Sequence, residues 1–70
     1  MIHSMTKLKA RRLALKLTQQ AVGYLASVSA SDVSRIENSR MIPYPKQAEK
    51  IAAVLKMNPG ELQKPTRRNG

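Results

Sequence analysis

An all-α domain of five short helices is the fold class this sequence predicts. Three observations carry that expectation. Apolar residues return at i, i+3 and i+4 in separate stretches, as at Val22, Leu25 and Ala26 and again at Ala48, Ile51, Ala52 and Leu55, so each set shares one side of a helix. Side chains able to accept a hydrogen bond from the unpaired amides of a first helical turn stand ahead of such stretches, at Thr18, Ser29 and Asn58. Prolines fall between the stretches or at a helical first position, where they do least harm.

Taken in order, Met1 to Met5 reads as a loose arm. Thr6 to Lys16 reads as a first helix, with Leu8, Leu15 and Leu17 on an apolar side, Leu13 widening it, and Lys7, Lys9, Arg11, Arg12 and Lys16 on a basic one. A second helix starts near Gln19 behind the Thr18 cap and turns Val22, Leu25 and Ala26 inward. Gly23 lies inside it at a cost of roughly 1 kcal/mol against Ala, which predicts a close approach by another helix. The chain turns at Ser27, Val28 and Ser29. Ser29 caps a third helix, Asp32 three residues on completes a capping box, and Val33 and Ile36 face the core together. Glu37 to Arg40 reads as helix end and loop, and Pro43 and Pro45 keep Tyr44 out of regular helix. Lys46 to Leu55 forms a fourth helix. Asn58, Pro59 and Glu61 start a short fifth one that docks Leu62. Residues 63 to 70, with Pro65, Arg67 and Arg68, read as a flexible basic tail, so the domain is expected over residues 6–62.

The 70 residues hold thirteen Lys and Arg against four acids, a formal net charge of +9. That excess favours a polyanion, because each neutralised phosphate of a nucleic acid releases condensed counterions. Without cysteine there is no disulfide framework and no thiolate metal site. One histidine, His3 in the arm, and scattered carboxylates do not assemble an acid-base pair, a metal cluster or a nucleophile, and the glycines Gly23, Gly60 and Gly70 make no phosphate loop. An enzyme is therefore not expected, nor a cofactor. No apolar run approaches the roughly 18 residues of a membrane span and no signal-peptide core is evident, so a cytoplasmic protein is the expectation, nucleoid-associated when bound to DNA.

Leu17 to Arg40 is the most specific stretch, since it lays out two short helices and a tight turn at the spacing of a helix-turn-helix. With Val33 and Ile36 turned inward, Ala30, Ser31, Ser34 and Arg35 face outward on the third helix. Small side chains there let the backbone approach a groove floor while one long cation reaches base edges.

In these residues the chain resembles the Cro and repressor type of helix-turn-helix domain, the xenobiotic-response-element-like group. Arg12, Leu17-Thr18-Gln19 and Ser29 through Asn38 stand where that family carries its pattern, with Val33 in place of Ile, and Pro43 and the Ala52 and Leu55 pair fall at family positions. The chain departs from the pattern at Gly23, usually Ala, at Ser27 and Ser39, where Gly is frequent, and at Pro45, usually apolar. The resemblance covers Leu8 to Leu62 and implies a compact lambda-repressor-like fold in which helices 2 and 3 form the DNA-reading unit. It implies that Ala30, Ser31 and Arg35 meet base edges, that Gln19 at the head of helix 2 clamps a phosphate with Asn38 and Arg40 flanking the same backbone, and that Arg12 and Glu37 form a structural ion pair.

The expected protein is then a regulator that binds double-stranded DNA, most simply a repressor acting as a homodimer on a near-palindromic operator and pairing mainly on DNA. Met57, Leu62, Ile42 and Tyr44 are the expected pairing surface. The alternative is an antitoxin-like or other protein-interaction module built on the same helices, which a long C-terminal extension would favour. Membrane or RNA binding finds less support, because the chain has neither Trp nor Phe and only two tyrosines.

Overall fold

The computed structural model describes residues 5–66 and consists of α1 (Lys7–Ala14), α2 (Gln19–Ala26), α3 (Ala30–Glu37), α4 (Pro45–Leu55) and a 3₁₀ turn at Pro59–Glu61. The fifth helix expected from sequence is thus one 3₁₀ turn, and the described residues hold four α-helices. Asn58 does cap that turn, accepting from the Gly60 amide at 2.9 Å. Glu61 does not reach back to complete a box. Its carboxylate lies 2.7 Å from Lys7 Nζ and 3.0 Å from Lys64 Nζ, and hydrogen bonding, first to Lys7 and then to Lys64, holds its pKa down at about 2.

Helix starts follow the side-chain chemistry. The Thr6, Thr18 and Ser29 hydroxyls accept from the amides of Lys9, Ala21 and Asp32 at 3.3, 3.0 and 3.1 Å. Tyr44 is the N-cap of α4, held extended between its prolines, and its amide donates to Gln47 Oε1 at 3.0 Å. Pro45 occupies the first helical position, where its missing N–H goes unneeded, so α4 begins one residue before the expected Lys46. Helix ends are less conventional. Lys16, Ser27, Ser39 and Lys56 all have φ between 57° and 59°, a left-handed conformation that costs an L-residue about 1–2 kcal/mol. Ser27 and Ser39 therefore do the work of the glycines common at these places. The packing of the following segments holds them there.

One core joins all four helices: Leu8 of α1, Val22 and Ala26 of α2, Val28 in the turn, Val33 and Ile36 of α3, Ile51, Ala52 and Leu55 of α4, and Leu62 beyond the 3₁₀ turn. Burying each large aliphatic side chain is worth about 1.5–3 kcal/mol, which makes this cluster the main stabilising element. Three leucines depart from expectation. Leu25 is 58 % exposed and Leu13 and Leu15 are also largely outside the core, while Leu17 is half-buried against it. The inward face of α2 instead consists of Val22, Gly23 and Ala26.

Gly23 shows why. A Cβ built on it would collide with the Val28 carbonyl oxygen and stand 3.2 Å from the Ala30 amide nitrogen. The close approach is therefore made by the turn and the first residue of α3, not by the flank of another helix. The Val28 amide in turn donates to the Gly23 carbonyl at 2.8 Å, so the turn is sealed onto α2 by backbone alone. Gly23→Val is expected to cost about 1–3 kcal/mol despite the gain in helix propensity, because the atoms in its way are backbone and cannot rotate aside. Thermal unfolding of the variant measures this, and an unchanged midpoint would refute the close packing.

The C-terminal segment also differs from the flexible tail expected to begin at residue 63. Gln63 Nε2 donates to the carbonyls of Ile36 and Met41 at 3.1 and 2.6 Å. The Lys7 and Leu8 amides donate to Lys64 and Leu62, and the Thr66 amide to Met5. Residues 63–66 are thus bonded to the start of α1 and the end of α3. These bonds give the first turn of α1 acceptors that a frayed helix would lack. His3, Arg67 and Arg68, read from sequence as parts of the arm and tail, lie outside the described residues.

Candidate nucleic-acid interface

The turn sealed by Gly23 sets α3 against α2 so that the first turn of α2 and the outward face of α3 form the two walls of one open groove of about 670 Å³. Thr18, Gln19 and Gln20 stand on the α2 side. Ala30, Ser31, Ser34 and Arg35 stand on the α3 side, and Asn38 and Arg40 close its end. The six residues assigned from sequence to bases or phosphates, Gln19, Ala30, Ser31, Arg35, Asn38 and Arg40, all line it. Ser34, which shares the outward face, and Gln20 line it without having been assigned a contact.

Its chemistry is that of a polyanion-binding surface. Among the described residues no carboxylate lines the groove, and two arginines do. At the start of α2 the Thr18 hydroxyl takes the Ala21 amide, which leaves the amides of Gln19 and Gln20 directed along the positive end of the helix toward any outside acceptor. Anions are favoured at such a terminus. The α3 wall is built of a methyl group and two hydroxyls, so an incoming surface can approach the backbone closely, and Arg35 extends beyond it with a side chain 60 % exposed.

The end of the groove is fixed by backbone bonds. Asn38 is the C-cap residue of α3, and its Nδ2 donates to the Ser34 carbonyl at 2.9 Å, so its side chain has a capping task as well as a place in the groove. The chain then passes through left-handed Ser39, and the Arg40 amide donates to the Arg35 carbonyl at 2.7 Å. That bond holds the backbones of the two groove arginines together.

Arg12 and Glu37 form an ion pair. Arg12 Nε and Nη2 donate to Glu37 Oε1 and Oε2, each at 2.9 Å, in the parallel fork that fits a guanidinium to a carboxylate. Nη1 donates to the Leu17 carbonyl at 2.7 Å, just ahead of the Thr18 cap. Thr6 adds a bond from its hydroxyl to the Glu37 carbonyl at 2.7 Å. One buried cluster therefore joins α1, the entry to α2 and the last turn of α3, and so sets the angle between the groove walls. The Thr6 contribution had no signal in sequence, where Thr6 reads only as the start of the first helix.

Asp32 does not complete the capping box expected of it. Its amide donates to Ser29, but its carboxylate turns to α4 and along α3, where Oδ2 accepts from Gln47 Nε2 at 3.1 Å and Oδ1 lies 3.6 Å from Arg35 Nη1.

A family model described as a helix-turn-helix domain matches residues 6–64, which include every element above. The protein belongs to the helix-turn-helix family. No individual curated protein and no solved structure matches the chain. As a helix-turn-helix protein it is a DNA-binding one, with α2 and α3 as the helices on either side of the turn. Among the described residues no group of three or more His, Cys, Asp and Glu could hold a metal ion, and no helix is long and apolar enough to cross a membrane.

Proposed function

We propose that this helix-turn-helix protein is a sequence-specific regulator of transcription that represses by occupying a near-palindromic operator in double-stranded DNA as a homodimer. The observation that carries the reading is a carboxylate-free groove to which the first turn of α2 and the outward face of α3 both contribute. In this reading α3 enters the major groove. Ala30 lies against a thymine methyl, Ser31 bonds either partner of a base pair, and Arg35 takes the O6 and N7 of a guanine. Gln19, with the free amides beside it, grips a phosphate, and Asn38 and Arg40 hold the same strand. Repression by occlusion needs no sensory domain and no cofactor, and it places the protein in the cytoplasm on the nucleoid.

Pairing follows from information content. One recognition helix of two turns touches too few base pairs to single out an operator among the ~10⁶ or more competing sites of a genome, and a second copy multiplies the discrimination. Leu62, expected at the pairing surface, is buried in the core of its own chain, and Met57 is half-buried. Ile42 and Tyr44 remain, at 84 % and 70 % exposure on a segment stiffened by Pro43 and Pro45. A contact this small forms mainly on DNA, with the two α3 helices about 34 Å apart on one side of the duplex.

Selection of bound duplexes from a random pool tests the reading, and a recovered motif with two-fold symmetry is the expected result. The same site is then titrated whole and halved, with the mass of each complex measured. Recovery of no motif would overturn sequence-specific regulation. One protomer saturating the whole site, with equal affinity for the half, would overturn the homodimer.

A further inference from the structure

Asp32 sits beside the candidate base-reading arginine, yet an acid close to DNA phosphates is repelled and weakens binding. Its carboxylate is held on one side by Gln47 of α4 and faces Arg35 on the other. Gln47 is itself fixed, because its Oε1 accepts the Tyr44 amide at the start of α4 while its Nε2 donates to Asp32. A chain of contacts thus runs from the extended Tyr44 backbone through Gln47 and Asp32 to the Arg35 guanidinium. Neither Gln47 nor Asp32 lines the groove.

We propose that Asp32 and Gln47 are specificity-determining positioning residues, which orient Arg35 for base reading. The inference rests on the DNA-reading role of Arg35 proposed above. A guanidinium carries five N–H donors in one plane. With Nη1 turned toward Asp32, the rest of the fork is presented outward in a restricted plane, and a bidentate guanine contact requires such a plane. At 3.6 Å the pair is an electrostatic guide and not a closed hydrogen bond, so Arg35 is aimed without being withdrawn. The repulsion between the Asp32 charge and the phosphate backbone acts on every sequence alike, so it lowers affinity for operator and random duplex together, and the discrimination comes from the aiming of Arg35.

Two substitutions separate this from damage to the fold. Asp32→Asn keeps the shape and removes the charge. It is expected to raise affinity for random DNA while discrimination between the selected operator and random duplex falls roughly tenfold, about 1.4 kcal/mol. A structural lesion would lower both affinities. Gln47→Glu keeps an acceptor for the Tyr44 amide and removes the donor to Asp32, placing two carboxylates face to face. It is expected to lower discrimination by several-fold and, through the like-charge contact, to lower the thermal midpoint slightly, so the ratio of operator to random-duplex affinity is the readout. In an Arg35→Ala background both substitutions should leave discrimination unaltered, because nothing remains to be aimed.

The experiment measures operator and random-duplex affinities for the whole protein carrying Asp32→Asn, Gln47→Glu, Arg35→Ala and the two pairwise combinations with Arg35→Ala. Loss of discrimination in Arg35→Ala together with undiminished discrimination in Asp32→Asn and Gln47→Glu would overturn the positioning role while the base-reading role stands. Undiminished discrimination in Arg35→Ala would overturn the base-reading role, and the positioning role with it. Reduced affinity of Asp32→Asn for operator and random duplex alike would also overturn the inference, since the carboxylate would then serve only the fold.

Discussion

Arg12→Met is expected to lower the stability of this domain by about 3–5 kcal/mol, the usual consequence of stranding one member of a buried ion pair. That is a large fraction of the total, because native stability amounts to roughly 0.05–0.15 kcal/mol per residue and the chain has 70 of them. The two halves of the pair are not equivalent. Glu37, with a side chain only 1 % exposed, is left without its guanidinium when Arg12 is replaced, whereas Arg12 retains the Leu17 carbonyl and an 11 % opening to water when Glu37 is replaced. Glu37→Leu should therefore be the milder of the two. The double variant, with neither charge present, should recover part of the loss. Urea unfolding of the two single variants and the double variant measures the coupling directly. Strict additivity would mean that the pair does not hold α1 to α3, and the link between core and groove angle drawn above would go with it.

The difference between what sequence reveals here and what it conceals follows from the range of the interaction. Caps are local: Thr18, Ser29 and Asn58 each bond an amide two or three residues on, and each was visible as a polar residue ahead of an apolar stretch. On α3 the groove residues Ala30, Ser31, Ser34 and Arg35 were visible because period fixes their face once Val33 and Ile36 are turned inward, whereas Gln19, Asn38 and Arg40 entered through the resemblance. Leu25 misled for a related reason. It satisfies the spacing with Val22, but the approach of the turn at Gly23 rotates the buried face of α2 toward Gly23 and Ala26 and leaves Leu25 outside. Asp32 shows the other limit. A capping box is a local pattern and was read as one, while its actual partner, Gln47, is fifteen residues away and is brought near only when α4 packs. The same holds for Gln63, which bonds the carbonyls of Ile36 and Met41 across the fold from a segment with no apolar period of its own. Arg12 and Glu37 were paired through family resemblance alone, for no spacing rule connects positions on separate helices.

Affinity for DNA should fall by about 10³–10⁵ between roughly 50 and 200 mM salt if the bound form makes six to ten phosphate contacts in all. The charge of the chain makes this the larger of the functional effects, and salt also counts the contacts. For B-DNA the slope of log K against log salt is about −0.9 for each phosphate neutralised. Arg40 is the groove cation placed beyond the end of α3, held to the Arg35 carbonyl by its own amide, and in the proposed function it meets a phosphate and no base. Arg40→Ala should then weaken operator and random duplex about equally and make the slope shallower by about 0.9 for every protomer on the DNA. On a whole operator the change should be about 1.8 if two copies bind and about 0.9 if one does, so a single substitution reports both the role of the residue and the number of subunits. An unchanged slope would take Arg40 off the phosphate backbone. Equal losses of about 0.9 on the whole site and on the half-site would leave the residue where it is proposed and remove the dimer, because one protomer would then account for all the charge neutralised at either site.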